Sequence, residues 1–290
     1  MSEFQNTIDL LGDKEVLDAI VEGSIVEFND NKIRTIRGGC FCKITTLKSV
    51  NMPLVTSIGE RVFSGCTSLE SANLPNLQEV GGYCFSTCYA LKSADFPNVT
   101  SASSYAFSSC TSIKVVNFPN ITTVGSSAFN YCSSLESANL PNATSVGDRA
   151  FTGCDKLVSV NLPLWEPRGA PSYVFQKCAS LPSIDLPKVQ KIGTYMFSGC
   201  TVLKTVILRY NSVCPLSSVN SFENTPFASG GTGGTLLVPR SLTASYQTAT
   251  NWSSIFSGNA NNRVLALEDY TIDGTITGEI DWDKLNGGTT

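Results

Sequence analysis

The chain has 290 residues, with 20 Lys+Arg against 24 Asp+Glu and a formal net charge of −4, so a basic footprint for nucleic acid is excluded. Only 15% of residues are charged, below the roughly 25% of an average soluble domain, which leaves Ser, Thr, Asn and Gly to build the surface. Histidine is absent, and with it go Ser–His–Asp and Cys–His catalysis, zinc deamination and HExxH proteolysis.

Residues 1–32 read as an N-terminal cap. Asp13–Val21 has helical spacing, with Val16, Leu17 and Ile20 on one side and acids early. Ser24–Phe28 and Ile33–Ile36 then lead into the first coil. The start carries no basic segment followed by a short apolar stretch, so no secretion signal is read. No apolar run is long enough to span a bilayer. The expected location is a cytoplasm, where the 11 cysteines stay reduced. An odd number cannot all pair in any case.

Residues 33–208 are periodic. Phenylalanine recurs at 41, 63, 85, 107, 129, 151, 175 and 197, at spacings of 22 except for one of 24. Three residues on stand Cys66, Cys88, Cys110, Cys132, Cys154, Cys178 and Cys200, with Ile44 in the first copy. Six residues on stands Leu or Ile, and eleven on stands Met52, Leu74, Phe96, Phe118, Leu140, Leu162, Leu186 or Leu208. Proline follows in seven copies, and Arg209 replaces it in the eighth. Several apolar columns locked to one period predict a repeat solenoid, mainly β, of about eight 22-residue turns. The Leu-x-x-Ala-Asn-Leu stretch alternates with period 2 and predicts a short strand, so the strands form a ladder on one face. Pro ends each strand, and Val/Ile-Gly then turns the chain on the opposite side.

Two columns of that strand point away from the core. One reads Ser49, Ser71, Ser93, Val115, Ser137, Ser159, Ser183, Thr205; the other reads Asn51, Asn73, Asp95, Asn117, Asn139, Asn161, Asp185, Ile207. The candidate ligand-binding residues are therefore Ser71, Asn73, Ser93, Asp95, Val115, Asn117, Ser137, Asn139, Ser159, Asn161, Ser183 and Asp185. Hydroxyls and amides suit hydrogen bonds to sugar or peptide. The same uniformity also fits amides that satisfy one another from coil to coil.

The stretch Pro163–Phe175 is two residues longer than its siblings, so a loop should protrude there. Residues 209–267 read as a strand–helix C-terminal cap: a Gly-rich loop at 230–234, a strand over Thr235–Val238 and a helix over Ser241–Trp252 with Leu242, Tyr246 and Ala249 on one face. Residues 268–290 form an acidic tail. Its alternating Thr271–Trp282 stretch allows a hairpin, a strand added to a partner's sheet edge or a loosely docked terminus.

The cysteine column reads as a stack of small buried hydrophobes rather than a metal or redox site, because a linear stack does not converge tetrahedrally. Cys40-Phe-Cys42 is a weak metal motif. Asn98-Val-Thr, Asn120-Ile-Thr and Asn142-Ala-Thr match the glycosylation sequon, but turn chemistry accounts for them. Asp95 and Asp185 lie four coils apart, roughly 19 Å by strand spacing, too far for the paired carboxylates of a glycosidase. No cofactor and no metal is expected, and no catalytic residue is assigned.

The Leu-Pro, Ile-Gly and Ala-Phe-x-x-Cys elements over about 24–208 resemble the BspA-like leucine-rich repeat family. The resemblance implies a curved or flattened solenoid, and a surface role in adhesion for bacterial members. The segment Leu236-Leu-Val-Pro to Tyr246-Gln-Thr-Ala-Thr-Asn-Trp252 resembles the cap that closes such arrays in proteins of phages and prophages. It implies a virion-associated protein presenting a non-enzymatic binding face to a bacterial or mucosal surface. An adhesin-type module that binds host matrix protein or glycan is the alternative. The implied partners are a protein or glycan on a cell surface or other virion proteins, with neither nucleic acid nor membrane insertion, and a homo-oligomer is compatible with either role.

Overall fold

A coil of 22 residues is too short to pair its own backbone, so its N–H and C=O groups must find partners in the coils above and below. A computed structural model describes residues 22, 24–167 and 169–287, and it has this architecture. The helix expected over Asp13–Val21 lies outside the described residues. The alternating stretch stacks as parallel strands in register, for example Ser49↔Ser71, Val50↔Ala72 and Asn51↔Asn73. This first ladder comes in three blocks: Glu27–Asn29 to Ser71–Asn73, Val115–Asn117 to Ser159–Asn161, and Ser183–Leu186 through Thr205–Leu208 and Thr235–Val238 to Arg263–Ala266. The Asp95 coil contributes only the bridge Ala94↔Val116.

The Val/Ile-Gly segment is more than the turn expected from sequence. Its two-residue strands, from Thr35–Ile36 to Ser145–Val146, build a second, six-stranded parallel ladder. In-register stacking pairs any extended pair of residues with its copy, however short the segment. The glycine after it is there for close approach: a Cβ on Gly125 would lie 2.6 Å from the carbonyl carbon of Ser103.

The third segment carries the Phe. Residues two before and two after it take positive φ, for example Tyr105 at 59° and Ser109 at 61° around Phe107. The N–H of each Phe donates across to the next coil, as Phe107 does to Ala128 O at 2.8 Å. The rings therefore stack along the axis, from Phe41–Phe63 at 5.3 Å to Phe175–Phe197 at 5.9 Å. Phe28 closes one end edge-on at 5.0 Å, and Phe222 the other at 5.5 Å. Phe96 and Phe118 pack beside the column.

At the C-terminal end Tyr246 and Trp252 are fully buried. The Cys214 N–H donates to Tyr246 Oη, and Trp252 Nε1 donates to Cys214 O, each at 2.7 Å. The single helix expected over Ser241–Trp252 is in fact broken. A 3-10 turn over Arg240–Leu242 leads into a helix over Thr243–Thr248, and a second helix runs over Trp252–Gly258. Thr, Ser and Asn are weak helix formers. Asn251 takes a φ of 66° and donates its side chain to Leu216 O at 2.6 Å, which turns Trp252 into the core.

The Phe column carries the fold, so Phe129→Ala in mid-column is expected to cost about 3–5 kcal/mol. Urea unfolding followed by circular dichroism measures it, and a loss under about 1 kcal/mol would contradict a continuous column.

Candidate functional site on the outward strand face

The twelve candidate residues lie on one side of the first ladder; ten fall on its three strand blocks, and Ser93 and Asp95 flank the bridge residue Ala94. Ser71, Asn73, Ser93, Asp95, Val115, Asn117, Asn139, Ser159 and Asn161 are exposed, while Ser137, Ser183 and Asp185 are half-buried. Their inward neighbours Ala94, Val116, Ala138 and Ile184 are buried, as period-2 alternation requires. The asparagines bond one another: Asn73 Nδ2 donates to Asn51 Oδ1 at 2.7 Å, Asn139 to Asn117 at 2.9 Å and Asn161 to Asn139 at 2.8 Å. Each amide keeps lone pairs and a second N–H toward solvent. The amide ladder stops on both sides of Asp95.

One margin of the strip is a charged column, Lys48, Glu70, Lys92, Lys114 and Glu136. Lys92 Nζ pairs with Glu70 at 2.5 Å. That hydrogen bond, helped by the Lys92 and Lys48 charges, lowers the Glu70 pKa. Just beside this pair the strip changes character: Asp95 replaces Asn, and Val115, 51% exposed, replaces Ser.

The strip ends where its chemistry turns apolar. The Asn column continues in register from Asp185 through Ile207 and Leu237 to Leu265. Ile207 and Leu237 are fully buried with Leu267 and Ile280, flanked by Leu265, Tyr270, Ile276 and Leu285. The acidic tail thus folds back over the outward face. It turns on itself through the bridge Thr271↔Ile280, with Ile272 N–H donating to Glu279 O at 2.9 Å. Arg209 fastens it. Its guanidinium holds Asp185 through Nε and Nη2, at 2.7 Å for the latter, and donates through Nη1 to Ile276 O at 2.6 Å and Gly278 O at 3.0 Å. Arg209 occupies the proline position of the other coils, and the sequence showed that departure without showing its partner. Asp185 is therefore a tail anchor as well as a member of the strip.

The cysteine column has a structural task. Each thiol donates to the carbonyl of the Phe one coil back, for example Cys66 to Phe41 O at 2.9 Å and Cys132 to Phe107 O at 3.2 Å. Burial raises the thiol of Cys132 from an ordinary value of 9.0 to about 12, so it stays a protonated donor. The sequon asparagines are also bonded: Asn98, Asn120 and Asn142 donate to the carbonyls of Pro75, Pro97 and Pro119 at 2.7–2.9 Å. A third outer column stacks Arg61 on Tyr83 and Tyr83 on Tyr105, then repeats the motif with Arg149, Tyr173 and Tyr195. Among the described residues no group of three or more His, Cys, Asp or Glu is placed to hold a metal ion, and no helix is long and apolar enough to cross a membrane.

A family model described as the BspA type leucine rich repeat region matches six copies, over residues 34–158 and 122–230. The chain is similar to a leucine-rich repeat protein from Bacteroides ovatus, at 22% identity and a TM-score of 0.53 over 86% of this chain and 73% of that one. It is also similar to a Treponema pallidum leucine-rich repeat protein, at 27% identity and TM-score 0.46 over 59% and 72%. A leucine-rich cell surface protein from Faecalibacterium prausnitzii matches at 23% identity and TM-score 0.46 over 70% and 68%. No curated protein matches the chain.

Three outcomes follow from these contacts. Arg209→Ala is expected to free the tail at a cost of about 1–3 kcal/mol. Limited proteolysis should then cut between Leu267 and Leu285 at enzyme levels that spare the parent chain, and equal resistance would contradict the anchor. A thiol raised on folding contributes stability that is whole below its unfolded value near 9.0 and is lost as pH climbs toward about 12. Melting temperature should therefore fall steeply above about pH 9, and less steeply in Cys132→Ala. At neutral pH only the half-buried Cys42 should react with a thiol reagent in the folded chain.

Proposed function

Because this chain belongs to the BspA-type leucine-rich repeat family, we propose that it is a non-catalytic recognition solenoid whose uncovered strand strip binds a protein or glycan presented on a surface. The observation that carries this reading is the distribution of cover over one face. The chain commits Arg209 and a whole tail to burying the apolar outward residues Ile207 and Leu237. Among the described residues nothing covers the stretch from Ser71 to Asn161, which includes the half-exposed Val115. Rigid strands present hydroxyls and amides there at fixed spacing, which suits an extended ligand bound by many weak hydrogen bonds.

The binding centre falls at the interruption rather than along the uniform ladder. Asp95, Val115 and Asn117 combine a carboxylate, an apolar contact and an amide next to Lys92 and Lys114, so this group distinguishes one ligand from another. Carriage on a virion is the location proposed with this reading. Its support is the resemblance of the closing segment 236–252 to phage-type caps, and mass spectrometry of purified virions tests it.

Screening the whole chain against immobilised matrix proteins and a glycan array tests the binding. Asn117→Arg together with Asn139→Arg should lower the signal of any ligand at least tenfold while circular dichroism shows the chain still folded. Undiminished binding by the double variant would exclude this face.

A further inference from the structure

The first ladder ends at Arg263–Ala266, the outermost strand of its last block. The whole coil that leads into and out of this strand, residues 239–267, is described. Arg263 N–H donates to Gly234 O at 2.8 Å, so Arg263 and Leu265 direct their backbone groups to the preceding strand. By the alternation of a strand, Val264 and Ala266 direct theirs to the open side. Among the described residues none pairs there with the Val264 N–H, the Val264 C=O or the Ala266 N–H, while the Ala266 C=O opens the 3-10 turn Leu267–Tyr270. The strand is correspondingly accessible. Arg263 is exposed and the other three residues are half-buried, whereas Thr205–Leu208 and Thr235–Val238 in the same ladder are buried at every position.

An open edge recruits another strand, and proteins blunt such edges with Pro, Lys, a bulge or a covering segment. Val264-Leu265-Ala266 carries none of the blunting side chains. The cap turns Tyr246 and Trp252 into the core, and the tail covers the outward face at Ile207 and Leu237; neither pairs with the edge. No charged residue stands between Arg240 and Arg263, so Ser, Thr and Asn dominate this end of the solenoid and it does not repel a like surface. The charges next to the strand lie at its two ends. Arg263 opens it, and Glu268 and Asp269 follow it, both held by Arg240. A second copy laid parallel would set Arg263 beside Arg263. Laid antiparallel, each Arg263 comes beside the acids of the other copy. The edge is thus complementary to itself under a two-fold axis.

We infer that this edge is the contact through which two copies of the chain form an antiparallel dimer. The Val264 N–H and C=O bond reciprocally across the two-fold axis, and each Ala266 N–H donates to the backbone at the start of the other strand. These groups are spare in the fold, so pairing breaks no internal contact. Pairing also continues the sheet, which sets the outward faces of both copies on one side, and a surface ligand then meets two strips at once. That consequence rests on the function proposed above; the dimer itself does not.

Ala266 has a φ of −71°, which proline already prefers, and its N–H makes no ladder bond. Ala266→Pro therefore removes an edge donor and leaves the fold intact. Sedimentation velocity of the whole chain should show a dimer. Ala266→Pro should sediment as a monomer with an unchanged circular dichroism spectrum, and Ala266→Ser, which keeps the N–H, should remain a dimer. Amide exchange at Val264 and Ala266 should slow as the concentration of the parent chain rises. Should the proline variant fail to fold, Arg263→Glu should raise the dimer Kd at least tenfold. A chain that is monomeric at every concentration, a dimer that both Ala266→Pro and Arg263→Glu leave intact, or an open series of larger oligomers from head-to-tail stacking on Glu27–Asn29 would overturn the inference.

Discussion

Everything in this molecule depends on one constraint: successive coils must keep the same register, because each coil's hydrogen bonds are completed by its neighbours. With the period held, a Phe lies on a Phe, an Asn amide meets an Asn carbonyl, and a thiol reaches the carbonyl one coil back. No single contact is strong. A stacked ring pair adds roughly 0.5–1.5 kcal/mol beyond its area, and a neutral hydrogen bond roughly 0.5–1.5. Repetition makes them decisive, since a one-residue slip would break every column at once.

The same constraint explains why much of the fold could be read from sequence. Columns such as Phe41 to Phe197 announce the period, and Ser137-Ala138-Asn139 announces a strand with its faces assigned. What escaped has physical reasons. Two residues such as Thr123–Val124 are too few to show alternation, so their ladder appears only when copies are stacked. The positive φ of Tyr83, Tyr105, Tyr173 and Tyr195 could not be guessed, because a tyrosine pays a penalty of roughly 1–2 kcal/mol there. Backbone hydrogen bonds to the next coil hold it, as when Tyr105 N–H donates to Ser126 O at 3.0 Å, and that too requires the neighbouring coil. The break at Asn251 was hidden because Leu242, Tyr246 and Ala249 fit one helical face on paper.

The candidate site was half legible. Its columns were visible, and so were the departures at Val115, Asp95, Ile207 and Arg209. Their meanings differ, and sequence alone does not separate them. Ile207 and Arg209 break the pattern to receive the tail, a contact 67 residues away in the chain for Arg209 and Ile276. Asp95 and Val115 break it and stand exposed, with none of the described residues folded over them. Departures that the chain itself fills are structural, and departures left open to solvent are where a ligand is expected.

That distinction also sets how the strip can bind. On the strip, a ligand must compete with amides that already bond one another, so each new hydrogen bond is partly an exchange and its net gain is small. The strip, which crosses many coils, gains its strength from length and suits a long or repeating ligand.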